Sequence, residues 1–82
     1  MKQFPLEHKI AVVTGCAGGI GAGIALGLAE AGADIVGVDL QDLEETAVQV
    51  RALGRHFLAF RVDLSDREAV DAAWTQILAE AG

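Results

Sequence analysis

The sequence contains no tyrosine, one cysteine and one proline among its 82 residues. A single cysteine excludes an internal disulfide and leaves no spacing typical of a metal site, so we expect a reducing compartment and a cytoplasmic protein. Hydrophobic residues make up 52% of the chain, which excludes a disordered segment. A chain of this length buries only about 60–65% of its unfolded surface, so we expect one small domain with a thin core.

Basic residues are also scarce, with 6 against 12 acidic residues and a net charge of −6. No basic cluster could release counterions from a phosphate backbone, so nucleic acid is not an expected partner. A membrane span has to be weighed because Gly19, Gly23 and Gly27 form a small-xxx-small pattern. Glu30 and Asp34, together with the clustered glycines, argue against one continuous apolar helix, and we expect no membrane partner.

The chain does contain three short apolar runs, the first two of them β-branched, that alternate with helical patterns. Strands are predicted at 9–14, 34–39 and 56–62, and helices at 20–31, at 42–53 and from 65 onward. The order β-α-β-α-β-α predicts an α/β fold, a partial Rossmann-like three-layer fold whose parallel strands have the order 3-2-1. The first two helices are expected to share one face of the sheet.

Helix ends and buried faces follow from the same pattern. Gly32 and Gly54 are expected as C-caps, and Asp42 and Ser65 as N-caps with a glutamate three residues later. The second helix is expected to bury Leu43, Ala47, Val50 and Leu53. The third is expected to bury Val70, Ala73, Trp74, Ile77 and Leu78.

The segment TGCAGGIG, residues 14–21, directly follows the first strand, and we call it the glycine loop. A strand that feeds such a loop into a helix directs backbone N–H groups and the positive end of the helix dipole at one point, where an anion binds. Gly15 is expected to make the turn, and Gly19 and Gly21 to admit a pyrophosphate. Two further glycines are expected to let the helix pack close to the sheet: Gly23 and Gly27.

Asp39 ends the second strand, 18 residues beyond Gly21. A carboxylate at this position accepts hydrogen bonds from the hydroxyls of an adenosine ribose and repels a 2′-phosphate. No Arg or Lys occurs between Ile10 and Val50, so NAD is favoured over NADP. Taken alone, Asp39 could equally be a solvated residue at a strand end.

The motif Thr14-Gly15-x-x-x-Gly19-Ile20-Gly21 resembles the cofactor motif of the short-chain dehydrogenases/reductases. Asp39 is similar to that family's NAD-selecting acid, and Asp63 with Leu64 to its adenine-binding pair. The resemblance implies that Ile20 lies near the nicotinamide ribose, Asp63 bonds the adenine amino group and Leu64 packs on the ring. A weaker similarity, through 14–16, 24–29 and 52–55, is to the sugar-acid branch, the 2-deoxy-D-gluconate or 2-dehydro-3-deoxy-D-gluconate dehydrogenases.

The family's catalytic Tyr-x-x-x-Lys pair is absent from this sequence, and its lysines are Lys2 and Lys9. We therefore assign no catalytic residue and no metal ligand. Cys16 lies near a helix N-terminus, a setting that lowers a thiol pKa, although a merely small residue explains it as well.

We interpret residues 1–82 as the N-terminal half of an NAD-binding Rossmann domain, truncated before its fourth strand. The implied function is the NAD-binding portion of an oxidoreductase that acts on an alcohol or ketone, and the weaker similarity implies a sugar acid as the substrate class. A small-molecule substrate is expected only if the C-terminal part is present. The alternatives are a non-catalytic half-domain that binds adenine nucleotides and a self-associating fold fragment. The strand at 10–13 would be an unpaired apolar edge, so we expect a homo-oligomer.

Overall fold

The chain forms an alternating series of strands and helices, which the computed structural model describes over residues 5–81. The elements are β1 (Ile10–Thr14), α1 (Gly19–Glu30), β2 (Asp34–Asp39), α2 (Glu44–Ala52), β3 (Phe57–Arg61) and α3 (Arg67–Ala81). This is the predicted β-α-β-α-β-α order. Over the described residues, no helix is both long and apolar enough to cross a bilayer.

The three strands form one parallel sheet with β2 in the middle. Val13 of β1 and Ala59 of β3 both pair with Gly37 of β2, so the predicted order 3-2-1 is confirmed. Within the described part of the chain, β1 pairs only with β2 and is an edge strand. Its residues Ile10 and Val12 are 49% and 38% exposed, which leaves apolar surface at this edge.

The core is divided between the two faces of the sheet because neighbouring side chains of β2 point to opposite sides. Ile35 packs in a cluster with residues of α1 and α2, including Ala29 and Val50. Val36 instead packs with Ile77 and other residues of α3. The prediction that α1 and α2 share one face is confirmed, and α3 covers the other.

Gly37, in the middle of β2, is buried against two side chains from different elements. A Cβ atom at this position would lie 2.5 Å from Cζ of Phe57 and 2.8 Å from Sγ of Cys16. Both distances are too short for real carbon contacts, so the missing side chain provides the space that the ring and the sulfur occupy. Cys16, a residue of the glycine loop, thus packs its side chain against the centre of the sheet.

The first two helices end as predicted, at glycines in the left-handed region. Gly32 has φ +110° and Gly54 has φ +81°. After α1 the N–H of Ala33 donates to the Leu28 carbonyl at 3.1 Å, and after α2 the N–H of Arg55 donates to Val50 at 3.4 Å. These are the long bonds of Schellman motifs, which satisfy carbonyls that the helix leaves unpaired.

The predicted N-terminal capping boxes are wrong. Helix α2 begins at Glu44 after Leu43, and Asp42 accepts a hydrogen bond from the Glu44 N–H at 2.9 Å in a turn that precedes the helix. Before α3, Asp66 accepts the Ala69 N–H at 3.2 Å, so it and not Ser65 is the cap. In each case an aspartate carboxylate accepts a backbone N–H two or three residues further along, as aspartates do in turns and at helix starts.

Three apolar residues and two glycines also differ from expectation. Leu53, Trp74 and Leu78 are all more than one-third exposed. Trp74 borders an apolar cleft between α3 and the edge strand β1, and no further strand covers it within the described residues. Among the described residues, no atom outside the adjoining helix backbone lies within 4 Å of a Cβ built at Gly23 or Gly27, so these glycines do not bring α1 close to the sheet. The buried residues of α1 are Ala25 and Ala29.

We expect Gly37→Ala to lower the free energy of unfolding by about 1–3 kcal/mol, because its methyl group would overpack the space filled by Phe57 and Cys16. Gly23→Ala, in open space on α1, should raise it by up to about 1 kcal/mol through helix propensity. Urea unfolding of both variants measures these changes, and Phe57→Leu should partly rescue Gly37→Ala. A Gly37→Ala variant as stable as the parent would contradict the packing described here.

Candidate functional site

The glycine loop connects the carboxyl end of β1 to the first turn of α1. Gly15 has φ +66° and Gly19 has φ +60°, values that residues with a side chain rarely adopt. The N–H of Gly15 donates to the Val38 carbonyl at 3.0 Å, which extends the β1–β2 pairing by one residue before the chain turns. The turn therefore lies at Gly15, where the sequence placed it.

Gly21 has a reason to be glycine that the sequence did not indicate. A Cβ built there would overlap the carbonyl oxygen of Gly15 and would lie 2.6 Å from its carbon. The first turn of α1 thus packs directly on the start of the loop, so the space at Gly21 is occupied by the protein's own backbone. At Gly19, in contrast, a Cβ would meet nothing within 4 Å. Of the two glycines expected to admit a pyrophosphate, only Gly19 is open at the Cβ position.

The N-terminus of α1 lacks the usual side-chain cap. Its N-cap residue is Gly18, no side chain among residues 5–81 caps the first turn, and the first turn contains no acidic residue. The N–H groups at this end and the positive end of the helix dipole remain available to an anion. Ile20 projects from the same turn and is 84% exposed.

Asp39 connects the end of β2 to the glycine loop. Its Oδ2 accepts the N–H of Ala17 at 3.0 Å, and its Oδ1 accepts the N–H of Gln41 at 3.1 Å. The backbone N–H groups of Gln41 and Ala17 hold the pKa of the Asp39 carboxyl below its ordinary value. Asp39 is therefore ionised at neutral pH beside the loop.

Asp63 and Leu64 follow β3 at the carboxyl end of the sheet, where Asp39 ends β2. The Val62 N–H donates to the Asp39 carbonyl at 2.9 Å, which joins the two strand ends. Asp63 Oδ1 accepts both the hydroxyl and the N–H of Ser65, at 2.6 and 2.9 Å, and these bonds hold the pKa of the Asp63 carboxyl below its ordinary value. Ser65 therefore supports Asp63 in place of its predicted role as a helix cap.

An apolar cleft brings together two residues that the sequence named separately. Thr14, at the end of β1, and Leu64, after β3, both line it, with Val38 of β2 between them and Trp74 of α3 on the far side. The predicted site residues thus form two groups at the carboxyl ends of the strands. Thr14 and Leu64 line the cleft, while Asp39 bonds to the loop that contains the glycines.

Two residues near the site were missed from the sequence. Thr46 of α2 donates its hydroxyl to the Cys16 carbonyl at 2.7 Å and is 2% exposed. Its position three residues after Leu43, on the buried stripe of α2, was the signal that could have identified it. Arg61 pairs with Asp39 in the sheet register, and its Nε donates to the Leu40 carbonyl at 3.3 Å. The prediction of NAD from the sequence considered basic residues only between Ile10 and Val50. It therefore missed Arg61, which β3 brings beside Asp39.

Cys16 belongs to the glycine loop, and its side chain is fully buried. Burial raises the pKa of its thiol above the ordinary value, with the nearby Asp39 charge acting in the same direction. Of the two explanations that the sequence left open for Cys16, the raised pKa favours a small buried residue over a reactive thiol. No group of three or more His, Cys, Asp or Glu residues within the described ranges could hold a metal ion.

Comparison with known proteins gives this arrangement a family. The sequence profile described as short chain dehydrogenase matches residues 9–82, which include the glycine loop, Asp39 and Asp63. The chain belongs to this family. As a short-chain dehydrogenase segment, it spans about one-third of the length of the curated relatives it matches.

The short-chain dehydrogenase relatives include proteins named for sugar-acid and sugar-alcohol chemistry. The chain is 49% identical over 82 residues to 2-dehydro-3-deoxy-D-gluconate 5-dehydrogenase of Escherichia coli (strain K12), covering 100% of this chain and 32% of that protein. It is 52% identical to the protein of that name from Pseudoalteromonas atlantica, covering 98% and 33%. Among solved structures, NAD+-bound xylitol dehydrogenase superposes with a TM-score of 0.89 at 31% identity, covering 93% of this chain and 30% of that chain.

Gly21→Ala tests the close contact inside the glycine loop of this short-chain dehydrogenase segment. The new methyl group must displace the Gly15 carbonyl, so we expect a loss of about 2 kcal/mol in the free energy of unfolding. Gly27→Ala on the open side of α1 is the matched control and should not destabilise the chain. Urea unfolding measures both, and equal stability of the two variants would refute the contact.

The Asp39 hydrogen bonds predict a pH dependence. The pKa of Asp39 is lowered in the folded chain, so its stabilisation is complete above the ordinary value of 3.8 and is lost as pH falls through the lower folded value. The difference in unfolding free energy between the parent and Asp39→Asn should therefore be constant from pH 7 to 5 and shrink below about pH 4. Denaturant titrations of both proteins at each pH measure it, and a difference that grows on acidification would contradict this assignment.

Proposed function

We propose that this chain is the NAD-binding portion of a short-chain oxidoreductase that transfers hydride between nicotinamide and an alcohol or ketone, with a sugar acid as the substrate class. One observation carries the proposal. The ionised Asp39 carboxylate is hydrogen-bonded to the glycine loop that opens α1, whose first turn no side chain caps. A site for negative phosphates and a site for ribose hydroxyls are thereby held together.

The described residues fit a dinucleotide. The first turn of α1 offers N–H groups and the positive end of a helix dipole to the pyrophosphate, with Gly19 open beside it. An ionised carboxylate has about four acceptor positions, so after its bonds to Ala17 and Gln41 Asp39 retains acceptors for the two ribose hydroxyls. The bound nicotinamide would supply the hydride acceptor or donor. Asp63 and Leu64 are proposed to contact the adenine, as the family resemblance implies.

The charges near the ribose position favour NAD. A 2′-phosphate would face the Asp39 carboxylate and its negative charge. Arg61 is the nearby cation, but its guanidinium is bonded to the Leu40 carbonyl. We propose that the carboxylate decides the preference in the parent chain, and that Arg61 would favour the phosphate once the carboxylate is removed.

The substrate class comes from the relatives and from no residue of this chain. Two relatives near 50% identity are named 2-dehydro-3-deoxy-D-gluconate 5-dehydrogenases. The proton-transfer tyrosine that the family resemblance implies does not occur in the sequence, so hydride transfer is proposed for a whole protein of which these 82 residues form a part. A cytoplasmic location stays a prediction.

A second candidate rests on the exposed edge of the sheet. The apolar side chains of Ile10 and Val12 on β1 lie open beside the cleft that Trp74 borders. An apolar edge strand is a template for pairing with another chain. We therefore also propose that the chain self-associates through β1 and is a homo-oligomer. Sedimentation over a concentration series tests this.

The nucleotide site is tested by thermal unfolding of the purified chain with and without ADP-ribose. At about 100 times the dissociation constant, the ligand should add roughly 2.7 kcal/mol of stability. Asp39→Ala should abolish the shift, because it removes the ribose acceptor and the Ala17 partner together. The control is Asp42→Ala, which removes an exposed aspartate that also accepts a backbone N–H, that of Glu44.

The phosphate preference is read in the same experiment with 2′-phospho-ADP-ribose. We expect it to protect the parent chain less than ADP-ribose. In Asp39→Ala we expect it to protect more than ADP-ribose does, because Arg61 then faces the 2′-phosphate without the neighbouring carboxylate. No protection of a cooperatively unfolding parent chain by ADP-ribose would refute nucleotide binding. Equal loss of protection in Asp42→Ala would refute the role of Asp39.

A further inference from the structure

One peptide group in the glycine loop is bonded on both sides by residues outside the loop. The carbonyl of Cys16 accepts the Thr46 hydroxyl at 2.7 Å, and the N–H of Ala17 donates to Asp39 Oδ2 at 3.0 Å. These two groups belong to the same planar unit, so their directions are coupled. A rotation that moves one of them away from its partner also moves the other.

The two partners lie on regular elements that the core holds in place. Thr46 is in the first turn of α2, between the buried residues Leu43 and Ala47. Asp39 is the last residue of β2, the central strand. The loop peptide is therefore fixed relative to α2 and β2, and its orientation does not depend on the loop alone.

The burial of Thr46 makes its hydroxyl informative. Thr46 is 2% exposed, and it is the one buried polar residue among those whose burial is described. It lies on a helix face that is otherwise apolar. A buried hydroxyl or carbonyl without a partner is unfavourable, so Thr46 and the Cys16 carbonyl each depend on the other. If the peptide were reversed, the Cys16 oxygen would face the Asp39 carboxylate and be repelled by it.

We propose that Thr46 is a positioning residue for nucleotide binding. By holding the Cys16 carbonyl, it directs the Ala17 N–H at Asp39, which orients the carboxylate and leaves its remaining acceptors for the ribose. Thr46 itself touches no ligand. This inference rests on the proposed function, because the ligand that benefits from the oriented carboxylate is the adenosine ribose of NAD.

The test measures the dissociation constant of ADP-ribose by calorimetry at a temperature where every variant is folded. Thr46→Val keeps the shape of the side chain and removes the hydroxyl, and we expect about tenfold weaker binding, the scale on which loss of a supporting hydrogen bond weakens a ligand site. Thr46→Ser restores the hydroxyl and should bind within about twofold of the parent.

Two control variants separate positioning from loss of stability. Thr75→Val on α3 removes a hydroxyl that also donates to a backbone carbonyl, that of Asp71, far along the chain from the loop. Val50→Ala removes core volume from α2 and leaves both bonds of the loop peptide intact. Both should bind ADP-ribose like the parent. Unchanged binding in Thr46→Val, or an equal loss in Val50→Ala, would overturn the proposal.

Hydrogen exchange of the Ala17 amide, followed by NMR without ligand, reads the peptide directly. The amide should exchange about tenfold faster in Thr46→Val than in the parent or in Thr46→Ser, because its bond to Asp39 is no longer held. If the parent binds no ADP-ribose, the proposed function fails while exchange still decides whether Thr46 holds the peptide. Unchanged exchange in Thr46→Val would overturn that role whatever the binding result.

Discussion

The missing side chain at Gly37 is the constraint on which the rest of the structure depends. Because β2 has no Cβ at that point, the Phe57 ring and the Cys16 sulfur both pack over Gly37 in the middle of the sheet. Cys16 is thereby buried beneath the loop, which brings the following peptide within reach of α2 and of the end of β2. The loop that carries the proposed nucleotide site is therefore anchored in the core and does not lie freely on the surface.

Most of the fold could be predicted from the sequence, because its signals are local. Each of the three short apolar runs became a strand, and Gly32 and Gly54 ended their helices with the left-handed geometry that favours glycine. The choice between Ser65 and Asp66 as a cap could not be made, since both residues stand at the start of a helix and both can accept an N–H. Trp74 was misjudged because a periodic stripe shows which side chains align and does not show how far the opposing sheet extends.

The site was predictable in outline, and its supporting contacts were not. Glycine spacing and Asp39 are sequence patterns, so the loop and the acidic strand end could be named in advance. The bonds made by Thr46 and the neighbourhood of Arg61 depend on which elements the fold brings together, across 30 and 21 residues of chain. Gly21 is another residue whose contact could not be predicted from the sequence. Its conformational freedom is visible in the sequence, whereas its contact with Gly15 appears only once the loop has closed.

The bonds that shape the glycine loop also have a consequence for the order in which the protein is made. Asp39 and Thr46 both follow the loop closely, so its supporting partners are present once the first 46 residues and their helix have left the ribosome. Folding during synthesis proceeds from the N-terminus. Both hydrogen-bond partners of the loop peptide are thus available while later parts of the chain are still being translated.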